Sequence, residues 1–68
     1  MKNDWALVFC SRTSFNNWFL DYYDTRSQAE EAEKDARKDP EYKGYYRIVV
    51  PSRKVANFLV SRGYRLCN

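Results

Sequence analysis

The chain has 68 residues, enough for one domain spanning 1–68 and too few for a second. Two Trp, six Tyr and four Phe, against only two Gly and two Pro, supply the apolar surface for a small core and exclude a disordered chain. No apolar run approaches the roughly 18 residues of a membrane span, and the N-terminus lacks the long apolar region and cleavage site of a leader, so the protein is read as cytoplasmic.

Trp5-Ala6-Leu7-Val8-Phe9-Cys10 is apolar at every position, the pattern of a strand buried on both faces, which places it in the centre of a sheet. Asn16-Asn17 fits a two-residue type I′ turn leading into a second strand, Trp18 to Tyr23. In that register Arg12 faces Asp21, Phe15 faces Trp18 and Cys10 faces Tyr23; a looser turn at Arg12-Thr13-Ser14 is the alternative. Ser27-Gln28-Ala29-Glu30 has the form of a capping box opening a helix from Gln28 to Lys38, which Pro40 stops. Its stripe of Ala29, Ala32 and Ala36 lets the helix lie close on the sheet. Glu30 with Lys34 and Glu33 with Arg37 form supporting i,i+4 pairs.

Tyr45 to Val50 is a third strand, rich in aromatic and β-branched residues and closed by Pro51. Ser52 is read as the cap of a second helix whose buried stripe is Val55, Phe58 and Leu59, with Gly63 at its C′ position. The alternating tail Tyr64-Arg65-Leu66-Cys67 suggests a short fourth edge strand. The order β-β-α-β-α with a right-handed crossover gives an α+β fold: a three-stranded antiparallel sheet, the first strand between the second and third.

Catalysis is disfavoured. There is no histidine, no Ser or Cys has an activating partner in sequence, and the two glycines cannot build a phosphate loop. Cys10 and Cys67 cannot complete a zinc site, and in a reducing compartment they read as free thiols. No cofactor, metal or small-molecule substrate is implied. Charge is more telling: residues 1–40 carry a balance of −2 and residues 41–68 a balance of +5. The chain offers two candidate surfaces. Trp18, Tyr45 and Arg47 are the residue types of protein hot spots. Ser52, Arg53 and Lys54, with Arg62 and Arg65, could instead contact phosphates or another anion.

The stretch Ser14 to Arg47, and within it Asp24-Thr25-Arg26-Ser27-Gln28-Ala29-Glu30-Glu31-Ala32, resembles the small RNA polymerase inhibitors of podophages. Those proteins share the strand, second strand, polar-capped acid-alanine helix and arginine-bearing third strand; helix two and the tail have no counterpart in them. The resemblance implies a phage-type effector acting in the host cytoplasm, with Arg47 as a contact. The expectation is a non-enzymatic binding protein that inhibits or redirects a host transcription or defence complex through Trp18, Tyr45 and Arg47. The alternative is a DNA- or RNA-binding protein using the basic third strand and second helix.

Overall fold

The computed structural model describes residues 2–66. Its first strand, β1 (Trp5–Ser11), lies between β2 (Trp18–Tyr23) and β3 (Tyr45–Pro51) in a three-stranded sheet of order β2-β1-β3. Both pairings are antiparallel. Every residue from Ala6 to Ser11 is buried, as the uninterrupted apolar run requires. Ala6, Val8 and Cys10 point to one face, where Val55, Leu59 and Tyr64 cover them and Trp18, Leu20, Tyr46, Ile48 and Val50 pack alongside. Leu7 and Phe9 point to the other, against Ala36, with Ala32, Tyr23, Tyr42, Tyr45 and Val49 around them.

The hairpin register differs from the two-residue turn expected at Asn16-Asn17. Trp5 pairs with Tyr23 and Cys10 with Trp18, and residues 12–17 form the connection. Ser11 explains the wider loop. Its buried hydroxyl accepts from the amides of Thr13 and Ser14, both at 3.2 Å, and its own N–H donates to the Asn17 carbonyl at 3.0 Å. The looser turn over Arg12–Ser14 falls inside this loop.

Helix α1 runs Arg26–Arg37, two residues earlier at its start than expected. Thr25, not Ser27, is the N-cap: its side chain accepts from the Gln28 amide at 3.2 Å. Gln28 Oε1 accepts in return from the amides of Thr25 and Asp24. Thr25-x-x-Gln28 and Ser27-x-x-Glu30 satisfy the same pattern, and the earlier one is used because it also ties down the end of β2. Ala29 and Ala36 are buried. After the C-cap Lys38, Asp39 caps a 3₁₀ turn, Pro40–Tyr42.

Ser52 does not cap the second helix. Its N–H donates to the Asp4 carbonyl at 2.8 Å and its hydroxyl donates to the Asn3 carbonyl, extending the contact between β1 and β3 beyond Pro51. A 3₁₀ turn, Ser52–Lys54, follows, and helix α2 spans only Val55–Ser61 with no side-chain cap. Gly63 has φ +86° and ends it as expected: the Tyr64 amide bonds to the Leu59 carbonyl at 2.9 Å and the Gly63 amide to Val60 at 3.0 Å. This is the Schellman arrangement, which needs a left-handed residue at C′. Tyr64 then inserts into the core and its hydroxyl donates to the Ser11 carbonyl. Residues 64–66 form no fourth strand. The Arg65 amide bonds instead to the Phe15 carbonyl at 2.9 Å, and Cys67 lies outside the described residues.

The cap assignment gives a test. Thr25→Ala should destabilise the protein by about 0.5–2 kcal/mol and Ser27→Ala by much less, as read from urea unfolding midpoints. The reverse order would move the helix start back to Ser27.

Candidate partner-binding surface

The three expected anchors do not form one surface. Trp18 pairs with Cys10, whereas Tyr45 pairs with Ser11 and Arg47 with Phe9. Because side chains alternate along a strand, Trp18 lies on the α2 side of the sheet and the other two on the α1 side. Trp18 is half-buried, and its indole N–H donates to the Arg65 carbonyl at 2.5 Å. The second expected set is dispersed as well. Arg53 and Lys54 precede α2, whereas Arg62, whose guanidinium lies 5.5 Å from the Phe58 ring, and Arg65 follow it. The Ser52 amide is taken by the Asp4 carbonyl, and Ser52 and Arg53 line a hollow with Asp4, Trp5 and Pro51.

Tyr45 and Arg47 instead line a concavity of about 570 Å³ at the C-terminal end of α1, with Arg12, Arg37, Lys38, Asp39, Pro40, Tyr42 and Lys43. Four short segments converge there. The last turn of α1 supplies Arg37 and its C-cap supplies Lys38, where cations suit the negative end of the helix dipole. The 3₁₀ turn, fixed by Asp39 Oδ1 accepting from the Glu41 amide at 3.0 Å, presents Tyr42. Lys43 leads into β3. Arg12 is drawn in where its amide meets the Gly44 carbonyl at 3.2 Å.

The charges here are not balanced. Glu33 binds Arg37 at 2.6 Å and Arg47 at 3.3 Å. The Glu33 carboxyl is thereby held below its ordinary range, chiefly by the hydrogen bond from Arg37 and despite the opposing effect of burial. Asp39, the one carboxylate lining the hollow, makes no ion pair among the described residues and accepts from the Glu41 amide instead. Arg12, Lys38 and Lys43 line the hollow and make no ion pair among the described residues; the Arg12 guanidinium lies 5.6 Å from the centre of the Tyr46 ring. Beneath them is an aromatic cluster: Phe9 stacks on Phe19 at 4.6 Å and lies 4.8 Å from Tyr42, and Phe19 meets the Tyr45 ring edge at 5.5 Å. The Tyr45 hydroxyl is held by the Asn17 side-chain amide at 2.9 Å.

The opposite flank of α1 has the reverse sign. A groove of about 460 Å³ between α1 and β2 is lined by Asp24, Glu31 and Asp35 with Tyr22, Tyr23, Gln28 and Ala32. It continues into a smaller hollow of about 240 Å³ that adds Asp21 and reaches Asp39 and Tyr42. No lysine or arginine lines either one. The two flanks therefore meet at Asp39 and Tyr42.

Sequence reasoning missed Arg12, Arg37, Lys38, Tyr42 and Lys43. One signal for four of them is present: Arg37-Lys38 and Tyr42-Lys43 flank Asp39-Pro40, a chain reversal that folds the two pairs together. Arg12 has no local signal, since only the β1–β3 register brings it in.

Cys10 is fully buried, and burial pushes its thiol pKa up, against a smaller lowering by the Tyr46 hydroxyl. Burial also raises Tyr23 and Tyr46. Among the described residues no group of three metal-ligating side chains comes together, and no helix is long and apolar enough to cross a membrane.

Two outcomes follow from these environments. Glu33 has a folded-state pKa below its ordinary 4.5, so its contribution to stability is present above that value and fades as pH falls through the folded pKa. Glu33→Gln should thus cost about 1–3 kcal/mol near neutral pH, with the difference from the parent shrinking in acid; a gap independent of pH would remove the carboxylate from the account. Cys10 should resist alkylation by iodoacetamide in the native state and react at the free-thiol rate in denaturant, as followed by mass.

No family model, curated protein or solved structure matches the chain.

Proposed function

We propose that this chain is a small non-enzymatic binding protein that receives an acidic surface of a partner protein in the cleft between the end of α1 and β3. The observation that supports it is the set of three cations without counter-ions, Arg12, Lys38 and Lys43, around a hollow lined by Tyr42 and Tyr45. Tyrosine with arginine is the composition of binding hot spots, where rigid rings supply area at low entropic cost. Beside the direct contact expected of it, Arg47 has a structural part. Its guanidinium bonds to Glu33 and to the Tyr45 carbonyl at 3.3 Å, so it holds the Tyr45 backbone and α1 in place while adding charge.

The neighbouring groove favours a protein over a nucleic acid as partner. A long polyanion leaving the cleft toward β2 would meet Asp21 and Asp35 and be repelled, whereas a protein surface of mixed sign can match both flanks. The likeness to the podophage polymerase inhibitors directs the search to host transcription and defence complexes.

The decisive variant is Arg12→Glu with Lys43→Glu. Capture of a host complex from nuclease-treated bacterial lysate should fall at least tenfold, about 1.4 kcal/mol, with the unfolding midpoint lowered only by the loss of the Arg12 contact with the Tyr46 ring, about 0.5–1 kcal/mol. Tyr45→Ala should weaken capture comparably, by 2 kcal/mol or more if Tyr45 is a hot spot. Capture that disappears with nuclease, and falls steeply with salt, would assign the cleft to nucleic acid instead.

A further inference from the structure

Hydrogen-bond direction in the sheet leaves the two outer strands with different free edges. In an antiparallel pair, alternate residues exchange both backbone bonds and the intervening ones point away. The Ser11 amide bonds to the Asn17 carbonyl, and that pair continues the β1–β2 register through Phe9 with Phe19 and Leu7 with Asp21. Leu20 and Tyr22 therefore turn their N–H and C=O groups to the open side of β2. On the far side, the bonds Arg12 to Gly44 and Ser52 to Asp4 set the opposite parity, so Tyr45, Arg47 and Val49 face outward.

The β3 edge is blunted. The Tyr45 carbonyl is taken by the Arg47 guanidinium, Arg47 puts a charge on the strand, and Pro51 has no N–H to offer. Arginine and proline are devices that protect edges from pairing. β2, Trp-Phe-Leu-Asp-Tyr-Tyr, has neither proline nor cation and keeps continuous register. Phe19 and Tyr22 on it are 37% and 52% exposed, a large apolar exposure for so short a strand. Beside this edge runs the acidic groove, with Glu31 and Asp35 on its α1 wall.

We propose that the open edge of β2 takes up an extended, lysine- or arginine-bearing segment of a partner protein as a fourth strand. Main-chain bonds to Leu20 and Tyr22 hold the segment, and its alternate side chains reach Glu31 and Asp35. Strand addition combines these two elements: backbone bonds give affinity and alternate side chains give specificity. A second copy of the chain is a poor occupant. Two β2 edges would bring two acidic grooves together, and the β3 edge is the one with proline. This site adjoins the cationic cleft at Asp39 and Tyr42, but the proposal does not depend on what the cleft binds.

The probe is a blocked hexapeptide of alternating lysine and valine, compared with its glutamate-valine analogue and with a lysine-valine peptide of the same composition in two blocks. At saturating alternating peptide, amide exchange at Leu20 and Tyr22 should slow at least tenfold, while Phe19 and Asp21, already bonded to β1, should change little. The glutamate analogue and the block peptide should bind at least tenfold more weakly. Glu31→Lys with Asp35→Lys, or the milder Glu31→Gln with Asp35→Asn should the first not fold, should weaken the alternating peptide at least fivefold without moving the unfolding midpoint. Three results would overturn the proposal: no slowing at Leu20 and Tyr22, equal binding of the three peptides, or protection at Arg47 and Val49 instead. Slowing that grows with protein concentration in the absence of peptide would also overturn it, by giving the edge to a second copy.

Discussion

A strand with apolar side chains on both faces needs a cover on each, and that requirement organises the fold. Burying β1 calls for a strand on either side to take its backbone groups and an element above and below to take its side chains. A chain of 68 residues has material for only one of each, and it uses two different solutions. On one face the alanine stripe of α1 brings the helix close, and Tyr23, Tyr42 and Tyr45 fill the margins. On the other, the short α2 contributes Val55 and Leu59, and Tyr64 completes the cover after the helix has ended. The Schellman turn at Gly63 is what redirects the chain so that Tyr64 can reach Ser11.

Using the large aromatics as margin has a consequence for the surface. A ring that fills the gap beside a thin helix is half covered and half available. Phe19, Tyr42 and Tyr45 therefore support the core and shape the cleft floor at once, which ties stability to the shape of the cleft. Glu33 does the same for charge. Standing between Arg37 on its own helix and Arg47 on β3, it fixes α1 to the sheet and holds two of the five cations in position, leaving the rest unpaired.

The architecture was legible in the sequence for a clear reason: an apolar run without alternation has one home in an antiparallel sheet, and the glycine after α2 has one conformational use. The hairpin register was not. Asn16-Asn17 is a good local turn, but Ser11 binds the loop from inside the sheet, an interaction no local pattern reveals. The error had a large effect because the shift is odd, and an odd shift exchanges the faces of a strand. In the expected register Trp18 shares a face with Tyr45 and Arg47; in the observed one it is across the sheet from them. The misplaced helix start shows a milder version, two overlapping capping patterns resolved by which one also holds the end of β2. The cleft itself depends on contacts between β1, α1 and β3, and only the Arg37-Lys38 and Tyr42-Lys43 pairs around Pro40 pointed toward it.

Placing opposite charges on the two flanks of one helix has an electrostatic consequence that net charge conceals. Beyond about 8 Å at physiological ionic strength exposed charges are largely screened, and the fields of the acidic groove and the cationic cleft oppose each other where they meet at Asp39 and Tyr42. At a distance the protein is a weak cation with little long-range pull on any polyanion. Near contact the pattern is strong, and like-charge juxtaposition against a wrong partner costs several kcal/mol. A partner of the proposed kind would be selected at close range, by the match of its own pattern to both flanks of α1, more than gathered from solution. For a small domain with limited area to bury, discrimination by charge pattern demands less surface than discrimination by shape alone.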